Sequence, residues 1–225
     1  PYFSEYYTNP SSLYSSSRMV SKRVEEARKL IAGTIGAEAS EIYFTSGGSE
    51  SDNWAIKKIM ISRMNKGKHM ITTKVEHHAV LESCKYLESL GFEVTYLNVN
   101  EDGLIDLNEL ESSIREDTIL VSIMAANNEI GTLMPLKEIG DICKKHKVLF
   151  HTDAVQAYGN IPIDVNEMNI DLLSTSAHKI EGPKGIGFLY VRKGVMITPL
   201  ISGGMQEKGK RAGTTNAPGI IGFAK

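Results

Sequence analysis

From residue 41 onward the chain repeats one pattern: a short β-rich run, a polar or glycine-bearing break, then a stretch with helical spacing. The β-rich runs are "EIYFT" (41–45), "HMITT" (69–73), "EVTYL" (93–97), "TILVSIM" (118–124) and "KVLFHTD" (147–153). Their branched and aromatic side chains suit a pleated, buried surface. Between the runs, apolar spacing predicts helices over 78–90, 106–116 and 136–146, with another beginning near Glu50. Ahead of the first strand, Val20, Val24, Ala27, Leu30 and Ile31 share one helical face; in 106–116 the face is Leu107, Leu110 and Ile114. Each parallel connection must cross over the sheet, so this alternation predicts an α/β fold with a mostly parallel sheet and helices on both faces. The rhythm breaks at "DLLSTSA" (171–177) and "GIGFLYV" (185–191). Their link carries Pro183 and is too short for a crossover, which predicts an antiparallel strand and therefore a mixed sheet.

Composition excludes several partners. Twenty-five basic and 27 acidic residues leave a net charge of -2 and no basic stripe of the kind that tracks nucleic acid. No apolar run approaches the ~20 residues of a membrane span, and "PYFSEYYTNP" lacks a basic region followed by an apolar one. A soluble, cytoplasmic protein is expected. Cys84 and Cys143 both fall in predicted helices, which argues against a disulfide framework and for a reducing compartment. The serine cluster "SSLYSSS" (11–17) reads as a loop running into a helix. The glycine-rich tail 203–220 has no clear core face, which suggests a piece of a larger protein.

Ligands of open α/β sheets sit beyond the carboxyl ends of the strands, and the polar clusters of this chain fall there. "SGGSES" (46–51) opens a helix, where free backbone N–H groups and the Ser49 hydroxyl could hold a phosphate. "KVEHHAV" (74–80), "AANNEIGT" (125–132), "AVQAYG" (154–159) and His178-Lys179 follow the next strands. Each alone has an ordinary reading as a helix entry, a cap, a turn or a solvated lysine. Together they would supply a phosphate cradle, an imidazole, an amide, a carboxylate and an amine. That set fits pyridoxal phosphate, which needs a lysine, a carboxylate at its pyridine nitrogen, a phosphate site and a stacking face. The histidines lack zinc-motif spacing, so no metal is expected, and neither a dinucleotide nor a nucleotide-triphosphate glycine motif is present.

Seven segments taken in order resemble the NifS-like cysteine desulfurases of the class V aminotransferase family. They are "NPSSLYSSSR" (9–18), "FTSGGSESDN" (44–53), "VEHHAVLE" (75–82), "NNEIGT" (127–132), "HTDAVQAYG" (151–159), "SAHKIEGPKGIGFLYVRKG" (176–194) and "GGMQEKGKRAGT" (203–214). The resemblance implies the three-layer α/β/α large domain of pyridoxal-phosphate enzymes of fold type I. It implies Lys179 as the Schiff-base lysine and proton shuttle, His77 as the imidazole stacked on the ring, and Asp153 as the pyridinium partner. Asn128 and Gln156 would reach the substrate carboxylate region and the ring hydroxyl. Gly48, Ser49, Ser176 and His178 would bind the phosphate, with Thr214 added from the second subunit of a homodimer. Lys184, in a turn after Pro183, would be structural or phosphate-adjacent.

The implied activity converts L-cysteine to L-alanine and passes sulfur, as an enzyme persulfide, to an acceptor or scaffold for iron–sulfur clusters or thiolated nucleotides. Members of the family use a cysteine on a mobile loop that no segment of this sequence matches, and Cys84 and Cys143 read as core thiols. Residues 1–225 are therefore expected to be a partial cofactor-binding large domain, without an N-terminal stretch and without the small domain that carries the nucleophile. Such a fragment is expected to make no persulfide by itself. Another class V enzyme (a selenocysteine lyase, a kynureninase-like hydrolase or an aminotransferase) and a non-catalytic binding protein remain alternative readings.

Overall fold

A computed structural model describes residues 1–225. Seven strands, β1 (Ile42–Thr45), β2 (His69–Thr73), β3 (Glu93–Leu97), β4 (Thr118–Ser122), β5 (Leu149–Asp153), β6 (Leu172–Ser174) and β7 (Gly187–Val191), form one sheet in the order β1-β7-β6-β5-β4-β2-β3. Strand β7 runs antiparallel to both of its neighbours, and every other pairing is parallel. The mixed, mostly parallel sheet expected from the short link before residue 185 is the one observed.

Adjacent residues of the central strands point to opposite faces and enter two separate cores. Met70, Leu120, Leu172 and Leu189 pack with α2 (Gly48–Ser62) and α3 (His78–Ser89) on one side. Ile71, Val121, Leu173 and Tyr190 pack on the other side with α1 (Ser15–Gly33), α4 (Leu107–Ser113), α5 (Leu136–His146) and a last helix, Ala217–Phe223. These two apolar layers make the α/β/α sandwich.

Three boundaries fall short of the sequence expectation. The 118–124 strand pairs only to Ser122, after which Ile123 and Met124 stay buried but leave the ladder. The 171–177 strand is shorter still, because the chain tightens into a one-turn 3-10 helix at Ala177–Ile180. The 106–116 helix, capped by Asp106 accepting from the Asn108 N–H, ends at Ser113; Ile114 turns extended yet still packs against the core.

The tail is a larger departure, since it does have a core face. Around α6 (Gln206–Gly209), Glu207 and Lys208 adopt left-handed φ values of 45° and 58°. This carries the Glu207 carboxylate to the Arg28 guanidinium, at 2.6 and 2.9 Å, and to the backbone N–H of Phe44 on edge strand β1. Beyond it α7 (Ala217–Phe223) buries Ile220 and Phe223, and the Phe223 ring packs against Tyr158 and Phe188. The pattern was hard to see because the anchor is one ion pair bridging 179 residues of sequence rather than an apolar stripe.

Candidate active site

The carboxyl ends of β1, β2, β4, β5 and β6 open into a cleft of about 230 Å³. Gly48, Ser49, His77, Asn128, Asp153, Gln156, Ser176, His178 and Lys179, nine of the ten expected site residues, line it. Thr214 does not; it is exposed in the turn before α7. Lys184 and His78 also lie outside the lining.

Local structure accounts for each placement. Gly47 caps α2 with φ 146°, which is open to glycine at no steric cost, and a Cβ on Gly48 would sit 2.5 Å from Cγ2 of Val155. The helix N-terminus, with its free N–H groups, is thereby brought close to the turn after β5. His77 caps α3: its Nδ1 accepts from the Ala79 N–H at 3.1 Å, which leaves Nε2 to carry the proton of the neutral ring and fixes the ring at the cleft. The two asparagines divide the labour. Asn127 is buried and builds the loop, accepting from the N–H groups of Glu129 and Ile130 and donating to the Val75 carbonyl, while Asn128 is exposed to the cleft. Ser176 and His178 are joined, Oγ to Nδ1, at 2.8 Å. Lys179 rides on the one-turn helix, exposed, and makes no side-chain hydrogen bond or ion pair.

The floor of the cleft is electrostatically unusual. Asp153 is 5% exposed and Asp52, on α2, is 1% exposed, and the two share a small volume with His77: the three groups bring donor atoms within 4.8 Å of one another. Burial raises the pKa of Asp153, opposed by the Val155 N–H, the His77 ring and Asp52. Burial, then the charge of Asp153, raises that of Asp52 well above the carboxylate range. Glu76 lies behind them, pushed up to about 8 by burial although its Oε1 accepts from Thr73 Oγ1 and the Met124 N–H. His151 supplies no countercharge, because burial lowers its pKa to about 3 and holds it neutral between Ser122 and Ser174. What the floor lacks is a positive charge.

Asp52, Glu76 and His151 were not singled out from sequence. Asp52 carried a readable signal, since it sits four and seven residues before Ile56 and Ile59 on the buried face of α2, an acid in an apolar stripe. Glu76 and His151 gave none apart from proximity to His77 and Asp153 along the chain.

The family model for aminotransferase class-V matches residues 1–225. Among curated proteins, the chain is 58% identical to the cysteine desulfurase IscS of Methanosarcina thermophila and 56% identical to that of Clostridium botulinum strain Hall, in each case over all 225 of its residues. It spans 56% and 57% of the length of those two relatives. Among solved structures, SspA in complex with cysteine superposes with a TM-score of 0.97 at 46% identity, covering 100% of this chain and 65% of that one. A NifS-like protein superposes with a TM-score of 0.97 at 47% identity, covering 99% of this chain and 62% of that one.

Proposed function

This chain belongs to the aminotransferase class-V family, and from that premise we propose that the protein containing it is a pyridoxal-phosphate-dependent cysteine desulfurase whose cofactor-binding large domain is residues 1–225. The observation that carries the reading is the pairing, in one cleft, of a free Lys179 amine with buried carboxylates that have no cationic partner. Pyridoxal phosphate fits these residues: a protonated ring nitrogen would answer Asp153, the His77 imidazole would cover the ring, and its phosphate would meet the α2 N-terminus with Ser49, Ser176 and His178. When bound, it supplies an aldehyde for covalent attachment and an electron-accepting ring.

The positions of the protein groups support the roles that the family resemblance implies for them. Lys179 would supply the amine that holds the cofactor and, with substrate in the cleft, would move a proton at the substrate α-carbon. Asp153 would keep the ring nitrogen charged, and His77 would cover one side of the ring and keep water from it. Asn128 and Gln156, both in the cleft lining, would reach the substrate carboxylate region and the ring hydroxyl. L-cysteine is the substrate favoured by the relatives named cysteine desulfurase.

Sulfur transfer needs a nucleophilic thiolate, and neither cysteine of this chain suits it. Cys84 and Cys143 are buried, and burial pushes both thiols up to about 12. The persulfide therefore forms on a cysteine outside these 225 residues, and sulfur passes from it to an acceptor or scaffold protein for iron–sulfur clusters. Two buried free thiols suit a reducing compartment such as the cytoplasm. A homodimer is supported by the aromatic and aliphatic side chains that residues 1–14 leave in solvent, among them Phe3 (86%), Leu13 (92%) and Tyr14 (74%). In that dimer Thr214 would complete the partner's phosphate site.

Pyridoxal phosphate added to the purified chain, followed by borohydride reduction and peptide mapping, tests the reading. The reduced label is expected on Lys179, absent from a Lys179→Ala variant and not replaced by label on Lys184. Label scattered over surface lysines in the native chain overturns it.

A further inference from the structure

We propose that Asp52 is a positioning residue that keeps its proton at neutral pH and aims it at Asp153, so that the floor of the cleft carries one negative charge and Asp153 holds it. The inference rests on the pyridoxal-phosphate reading only for its purpose; the proton itself belongs to the protein alone.

Geometry decides which carboxyl is the acid. Asp153 has an oxygen accepting from the Val155 N–H at 2.9 Å and lies beside His77 at the cleft, so its ionised form is supported on two sides. Asp52 has no such support: both of its oxygens are buried and neither has a hydrogen-bond partner. Every group that faces it from the packed elements fails to supply one. The Ser174 hydroxyl on β6 is near enough to favour the ionised form, yet it is bonded to His151 at 3.0 Å. His151 on β5 comes within 3.7 Å of Asp52 Oδ1 but is neutral. Asp153 on β5 opposes a second carboxylate by its charge, and Glu76 after β2 is another buried acid that brings no positive charge. His77 brings a ring nitrogen within 4.8 Å of Asp52 but makes no hydrogen bond to it, and Lys179 is exposed on the wall of the cleft. Two adjacent carboxylates without a cation cannot both ionise, and the one lacking donors keeps the proton.

The consequence for the site is directional. A protonated Asp52 can donate to Asp153, orient its carboxylate and leave the remaining lone pairs free for a ring nitrogen above. An ionised Asp52 would instead place a second charge within 4.8 Å of the first and compete for the same cation. Acid and carboxylate thus have separate roles, assigned by their surroundings.

Infrared spectroscopy of the cofactor-free chain with carboxyl-labelled aspartate tests this without any turnover, and the label separates Asp52 from Glu76. At neutral pH the native protein is expected to show one protonated aspartic-acid carbonyl band. Asp52→Asn is expected to remove it, and Asp153→Asn to keep it at a shifted frequency because the acceptor has changed. No acid band in the native chain, or a band that survives Asp52→Asn and disappears in Asp153→Asn, overturns the proposal. A second readout uses pyridoxal phosphate titrated by absorbance. Asp52→Leu, which removes the donor, is expected to weaken binding by about tenfold or more and to move the pH midpoint of the bound chromophore, and Asp52→Asn, which still donates, to recover most of the loss. Equal losses in the two variants count against the proposal. If the native chain binds no pyridoxal phosphate, the functional reading fails while the infrared result still decides where the proton sits.

Discussion

Two buried carboxylate sites in this molecule are built in opposite ways. Glu207 has both oxygens on the Arg28 guanidinium and accepts the Phe44 N–H, while Arg28 also donates to the Ile42 carbonyl and lies 4.5 Å from the Phe44 ring centroid. Asp52 has no partner for either oxygen, and Glu76 has one oxygen without a partner. The first site is closed within the fold and ties the tail to an edge strand. The second leaves charge unanswered at the floor of a cleft, which is where a ligand's charge is wanted and a stabilising contact would be in the way.

The most severe way to break this contrast is to give the closed site the defect of the open one. Glu207→Leu takes the bidentate partner from a guanidinium that is 6% exposed and leaves it only the half-exposed Glu25 carboxylate at 3.0 Å, so the loss is expected to approach the ~3–5 kcal/mol of a broken buried pair. Urea unfolding is expected to show a loss of that size, and the double variant Arg28→Met with Glu207→Leu is expected to recover much of it. If the single variant costs under about 1 kcal/mol, the pair behaves as a surface salt bridge and the tail is held by α7 alone.

A smaller effect sharpens the other half of the comparison. The Glu76 carboxyl titrates at about 8 in the folded chain against 4.5 when unfolded. Between those values the folded state holds more protons, so the stability this group lends at low pH is lost as pH rises through about 8. The loss is on the order of a few kcal/mol. His151 acts on the acid side: its folded value of about 3 lies below the ordinary 6.5, and stability is lost as pH falls from 6.5 toward 3. Glu76→Gln is therefore expected to flatten the decline in Tm between about pH 4.5 and about 8 and to leave the His151 limb below it as it was. An unchanged decline over that range would assign it to Asp52 and Asp153 instead.

The same contrast explains how much was legible in sequence. Periodicity reveals layers, because apolar spacing is a local record of which face is buried; the seven strands followed from it, the antiparallel β7 followed from the short link before it, and the nine site residues that line the cleft were named from the family resemblance. It does not record pairings made across the fold. Glu207 reads as one charge in a glycine-rich tail until Arg28 is brought to it, and Asp52 reads as a helix-opening acid until β5 sets Asp153 beside it. Boundaries were lost for a related reason: Ile123, Met124 and Ala177 keep strand-like apolar character because they are buried, although the backbone has already turned toward the cleft.

The buried thiols test the comparison at its weakest point, where burial meets a group that needs no partner. Cys84 and Cys143 stay neutral, so burial costs them little, and the one contact of note is Cys84 Sγ at 3.9 Å from Met70 Sδ. A thiol held at about 12 presents almost no thiolate at neutral pH and no path to solvent. Both are expected to resist iodoacetamide in the native chain and to react together once denaturant unfolds it, and Cys143→Ala is expected to cost only about 1 kcal/mol. Rapid native-state labelling of either thiol would show that the sheet opens near it. For Cys84 that would reopen the question of a nucleophile within these residues, because α3, which carries it, begins at His77 on the rim of the cleft.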